Sequence, residues 1–146
     1  MINHLTMLYK ISQLKEKLYI DLLRKLEINK NLMPVHINIL LTIDSLKENP
    51  IIVNVAKELC KSKADTSAVI STLAKKGYIT YATSPKDGRA KLLALTEKGK
   101  DVLAKTSLVK EEIHNILVGN LDPGDKENFL TFLSATGKSL EDALAS

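Results

Sequence analysis

The chain has a single cysteine, Cys60, so no disulfide can form within it, and the cytoplasm is its expected compartment. Long apolar runs are missing too. The most apolar stretch, Ile37 to Ile43, is interrupted by Asn38 and Thr42 and falls far short of the roughly 20 residues a membrane span needs. The N-terminus, MINHLTMLYKISQ, has no basic flank followed by an apolar core and a small-residue cleavage site, so no export signal is expected. His4, His36 and His114 lie far apart and no two have metal-ligand spacing. Neither a metal nor any other cofactor is expected. No nucleophile–base pair, glycine-rich phosphate loop or paired-carboxylate motif occurs, which argues against an enzyme.

What is present is ordinary in amount and uneven in distribution. With 146 residues, 45% apolar and 26% charged, residues 1–146 suit a single globular domain with a real core. The net charge of +4 divides into +2 over residues 1–50, +6 over 51–100 and −4 over 101–146. The middle third would hold a polyanion and the last third would repel one; a solvated charged face is the plainer reading.

Leu8, Ile11, Leu14, Leu18, Leu22 and Leu26 recur at spacings of three and four, which predicts an amphipathic helix ended by Asn29 to Asn31. Pro34, at a favoured first position, opens a second helix that runs to about Lys47. That helix is apolar on most sides and belongs at the centre of the core. After the break at Asn49-Pro50 come two short helices. The first turns Val55, Ala56 and Leu59 inward. The second starts at Ser62-Lys63-Ala64-Asp65, a [ST]-x-x-[DE] cap, continues through Val69, Ile70 and Leu73, and stops at Gly77 after Lys75 and Lys76. This is the layout of a helix-turn-helix.

Tyr78 to Thr83 and Ala90 to Leu95 read as strands around a turn at Ser84 to Gly88. Thr96 caps a helix running to about Val118 and closed by Gly119-Asn120. Asp122-Pro123 starts a last helix with Phe129, Phe132, Leu133, Leu140 and Leu144 as its apolar stripe. The expected fold is therefore mainly α with a small β-hairpin: a winged helix-turn-helix over residues 33–95. The stripes of the terminal helices, residues 1–30 and 97–145, need partners, and antiparallel packing of two copies of the chain would supply them.

From Val53 to Gly99 the sequence resembles the MarR family of bacterial transcription regulators. The resemblance rests on Ala56 and Leu59, on LAKKGYI at Leu73 to Ile79, and above all on Asp87-Gly88-Arg89 followed by LLALTEKG at Leu92 to Gly99. Leu32-Met33-Pro34 stands where the family often has Leu-Thr-Pro. The resemblance implies a homodimer held by its N- and C-terminal helices, with two winged helices on a palindromic DNA operator. Members mostly repress, and many release DNA when a small ligand or an oxidant arrives.

In a helix-turn-helix the second helix enters the major groove. With Thr66, Val69, Ile70 and Leu73 inward, its outward face carries Ala64, Ser67, Ala68, Ser71 and Lys75. That face has no Arg, Asn or Gln to make bidentate base contacts, and the family often has arginine where Ala68 stands. Sequence preference would lean to A·T and rest partly on DNA shape. Small residues chosen only for a surface are the alternative. Arg89, on the hairpin, can reach a narrow minor groove, steadied by Asp87 and flanked by Lys86 and Lys91. A surface salt bridge worth about 0–1 kcal/mol is the plainer account of that pair. Lys61, Lys63, Lys75 and Lys76 are candidate phosphate contacts, and Asp65 a cap. Packing is the expected role of Cys60. The family architecture would put an effector pocket between the terminal helices and the winged unit, with Tyr9, Tyr19 and His36 as lining, although each also suits core packing.

Overall fold

Helix α1, His4–Lys25, begins where the Asn3 side chain accepts the Leu5 amide at 2.9 Å. The structure, a computed structural model, describes residues 3–28, 31–83 and 88–146. Only the second half of α1 is buried, through Tyr19 and Leu23; Leu5, Leu8, Ile11 and Leu14 are 48–76% exposed. Beyond α1, Glu27 takes a left-handed conformation (φ 52°), and the Ile28 amide returns to the Leu23 carbonyl at 3.1 Å. That turn folds Ile28 and Leu32 into the core.

Helix α2, Pro34–Ser45, is the hub expected from its composition. Ile37, Ile39, Leu40 and Ile43 are each at most 4% exposed. The helices α3, Ile52–Glu58, and α4, Lys63–Lys75, pack against it together with α1 and the second strand of the hairpin. Strands β1, Ile79–Thr83, and β2, Lys91–Leu95, pair antiparallel from Ile79 opposite Leu95 to Thr83 opposite Lys91. Leu93 points into the core, and its amide donates to the Pro50 carbonyl at 2.8 Å. One main-chain bond thus fastens the hairpin to the segment ahead of α3.

Helix α5, Glu97–Val118, buries Val102, Thr106, Val109 and Ile113 along one stripe. Helix α6, Pro123–Ala145, is capped by Asp122, whose carboxylate accepts the Asp125 amide at 2.9 Å. No residue of α6 is buried, and Leu130, Phe132, Leu133, Leu140 and Leu144 are at least 50% exposed. The described chain divides into two compact units, Met1–Lys110 and Glu111–Ser146. The six helices and the hairpin follow the order read from the sequence, and the fold is a winged helix. Among the described residues no helix is long and apolar enough to cross a membrane.

Candidate nucleic-acid interface

The turn between α3 and α4 is set by backbone geometry. Cys60 adopts a left-handed conformation (φ 54°), its amide donates to the Lys57 carbonyl at 3.2 Å, and the Lys61 amide reaches back to Ala56 at 3.0 Å. This closes α3 as a Schellman-type end with cysteine where glycine is usual. Cys60 is exposed, so the expected packing role is corrected: the thiol contributes no core volume. Two residues on, the Ser62 hydroxyl accepts the Asp65 amide at 3.0 Å and starts α4. The Asp65 amide is therefore spent on the cap.

Helix α4 buries Thr66, Ile70 and Leu73. Its opposite face exposes Ala64, Ala68 and Lys75, with Ser67 and Ser71 half-buried at its margin. Thr72 is exposed on the same face and was missed by the reading from spacing; its hydroxyl donates to the Ala68 carbonyl at 3.2 Å. Lys61 and Lys63 extend this surface past the helix start, both exposed. Among the described residues Lys61, Lys63 and Lys75 have no ion pair within 4.0 Å. Their charge faces solvent.

On the hairpin, Arg89 and Lys91 are exposed, and the Lys91 ammonium lies 5.5 Å from the Tyr81 ring centre. Lys86 and Asp87 lie outside the described residues, and with them the pairing of Asp87 to Arg89. The hairpin and the helix-turn-helix meet in a shallow groove of about 230 Å³. Ile51, Ile52, Val53 and Ala90 form its apolar part, and Lys63, Arg89 and Lys91 its charged part. Residues from three separate stretches of sequence are thus brought to one place, and among the described residues its charged groups are cationic.

Behind the groove, the end of α4 is tied to the start of α5. Gly77 has φ 85°, and the Thr96 hydroxyl donates to its carbonyl at 2.6 Å while accepting the Gly99 amide at 3.2 Å. The Lys98 ammonium donates to the Lys76 carbonyl at 2.8 Å and stands 4.5 Å from the centre of the Tyr78 ring. Burial raises the pKa of the Tyr78 phenol. The residues LAKKGYI and LTEKG, separate in sequence, form one joint here.

The groups expected to line an effector pocket are placed as follows. Tyr9 is exposed on α1. Tyr19 is buried, its hydroxyl has no hydrogen-bond partner among the described residues, and burial, with the charge of Glu16, raises its pKa. The His36 Nδ1 accepts the Met33 amide at 2.9 Å, serving the α2 start that Met33 itself cannot cap with a hydroxyl. Burial, and secondarily the charge of Lys76, lowers the pKa of His36. None of the three lines a second cavity in unit Met1–Lys110, of about 430 Å³, formed by Ile20, Leu23, Arg24, Glu27, Ile28, Leu32 and Met33 among the described residues. No sequence signal marks that cavity, because the left-handed turn that shapes its corner is made by Glu27 rather than glycine.

Residues 32–99 match the family model described as a winged helix DNA-binding domain. No curated protein matches the chain by sequence. Among solved structures, MepR of S. aureus in complex with DNA is 17% identical, with 95% of this chain and 99% of that chain covered and a TM-score of 0.84. MarR of E. coli in its apo form is 20% identical over 93% and 98%, with a TM-score of 0.73. The PcaV transcriptional regulator of Streptomyces coelicolor, with its natural ligand, is 15% identical over 92% and 91%, with a TM-score of 0.75. At these identities the likeness is one of fold.

Proposed function

We propose that this chain, which carries a winged helix DNA-binding domain within the fold of the MarR-family regulators, is a dimeric, sequence-specific and ligand-responsive transcriptional repressor. The observation that carries the reading is the groove where three cationic side chains, Lys63, Arg89 and Lys91, converge from α4 and the hairpin. In this reading residues 33–95 are the DNA-binding unit. Ala64, Ser67, Ala68, Ser71 and Lys75 face the major groove of a palindromic operator, and Arg89 enters the minor groove, where the potential is most negative. Lys61, Lys63 and Lys91 carry charge to the phosphates.

Residues 1–30 and 97–145 are the dimerisation helices. The exposed apolar residues of α1 (Leu8, Ile11, Leu14) and of α6 (Phe132, Leu133, Leu140) support that role, since such surface is normally covered. The cavity at the end of α1 offers a place for a small effector, with Arg24 and Glu27 as charged groups and Ile20, Leu23, Ile28 and Leu32 as apolar wall among the described residues. PcaV, a transcriptional regulator of this fold solved with its natural ligand, is in keeping with an effector role.

The test is a gel shift on the DNA upstream of the chain's own gene, at several salt concentrations, with wild type and Arg89→Ala. Loss of binding in the variant, and a steep fall with salt in the wild type, are expected. Binding indifferent to both would sink the proposal. A second reading, a winged helix that binds DNA loosely or serves protein association, is favoured by one observation: the face of α4 offers no Arg, Asn or Gln. A specific-to-non-specific affinity ratio near one would decide for it.

A further inference from the structure

We propose that the groove between the start of α4 and the wing seats a single phosphodiester of the bound duplex, gripped jointly by Lys63 and Lys91. The inference rests on the DNA-binding reading above and deepens it. The groove has an apolar floor, Ile51, Ile52 and Val53, and cations from two elements on its walls. Among the described lining residues no side chain offers a hydrogen-bond acceptor, and the polar groups of Lys63 and Lys91 are ammonium donors. Such a set recognises an anion and cannot read the donor–acceptor pattern of a base edge. A volume of about 230 Å³ equals several waters at about 30 Å³ each, enough for a tetrahedral phosphate with part of its hydration shell. The apolar floor also thins the water between the cations and their guest, which strengthens each attraction.

The backbone that carries each lysine is anchored. Ser62 caps α4 and sets the position of Lys63. The Leu93 amide, two residues beyond Lys91, is bonded to the Pro50 carbonyl at 2.8 Å, next to the floor. The Tyr81 ring supports the Lys91 ammonium at 5.5 Å. Binding at this site therefore asks for ordering of the two lysine side chains and little movement of the backbone. Phosphates border the minor groove, so a phosphate seated here sets the register from which Arg89, on the same groove, continues into it. Lys63 reports from the recognition helix and Lys91 from the wing, and both meet the same guest.

Full-length wild type, Lys63→Gln, Lys91→Gln and the double variant would be titrated onto a random-sequence duplex over a range of salt. Counterion release gives a slope of about 0.9 per phosphate neutralised. The double variant is expected to lower the slope by about one per bound protomer, because a single phosphate is lost. A fall of about two per protomer would assign the lysines to separate phosphates, and no change would remove them from the interface; either result overturns the proposal. Lys63→Arg and Lys91→Arg should keep the wild-type slope, which separates lost charge from a damaged fold. Wild type that binds no duplex would sink the DNA-binding reading and this one with it, whereas binding with an unchanged slope sinks this one alone. A free anion is distinguished by melting wild type in phosphate and in chloride at equal ionic strength. Equal melting temperatures are expected, and a phosphate-specific rise abolished by Lys63→Gln would make the guest free phosphate instead.

Discussion

Gly99 lies directly against the carbonyl of Tyr78, so that a β-carbon at residue 99 would collide with the carbonyl oxygen while meeting the Leu95 side chain at an ordinary contact distance of 3.5 Å. The closeness lets the Thr96 amide donate to that same carbonyl at 3.1 Å and brings the Thr96 hydroxyl to Gly77. Gly99→Ala is expected to cost about 1–3 kcal/mol, the usual range for overpacking where backbone must move. Urea unfolding of the two proteins measures it. A loss under about 0.5 kcal/mol, within the scatter of ordinary surface substitutions, would show that α5 shifts freely.

Cys60 carries the opposite expectation. A left-handed conformation costs a non-glycine residue about 1–2 kcal/mol, and glycine gives back about 0.5–1 through its looser unfolded chain. Cys60→Gly should therefore raise stability by up to about 1 kcal/mol, and Cys60→Val, β-branched, should lower it. Thermal melts of the three proteins would rank them. Valine at or above cysteine would contradict the geometry of the turn.

The depressed pKa of His36 gives a pH signature. The folded chain takes up the imidazole proton less readily than the unfolded chain, whose histidine titrates near 6.5. The stability tied to neutral His36 is thus complete above pH 6.5 and declines as the pH falls below it, toward the lowered folded-state value. His36→Gln keeps a side chain able to reach the α2 start and does not titrate. Between about pH 7 and pH 5 the wild type should lose more stability than the variant, and parallel curves would refute the role assigned to the imidazole.

If α1 supplies part of the dimer interface, a charge placed on its exposed stripe should separate the protomers. Ile11→Glu is expected to sediment as a monomer, with operator affinity reduced about 100-fold or more because two half-sites are no longer bound together. Leu133→Glu tests the same role for α6. Wild type that is monomeric at micromolar concentration would remove the premise.

The order of the elements was legible because each boundary has a local chemical cause. Ser62, Asp122 and Pro34 start helices by capping or by fixed φ, and Gly77 ends one by accepting a left-handed turn. The core of α2 was legible from its composition alone. Two other helix ends were hidden, since Glu27 and Cys60 make the same turn without the residue that advertises it. The site divides in the same way. Lys63, Arg89 and Lys91 each stood out by charge, yet that they share a groove with Ile51 to Val53 depends on where the hairpin lies against α3, which no spacing encodes. The cavity at Ile20 to Met33 and the reach of His36 to Met33 are likewise tertiary outcomes.

The bond from the Leu93 amide to the Pro50 carbonyl uses no side chain. Its strength is indifferent to what residues 51–53, 89 and 91 carry, so the groove's lining can be exchanged while the wing stays where it is. Mounting and reading are thereby separable tasks. On the proposed DNA-binding reading, an engineer who wanted a different DNA preference could rewrite the outward face of α4, leaving the groove as the phosphate seat and the joint at Gly77, Tyr78, Thr96 and Gly99 as a fixed chassis.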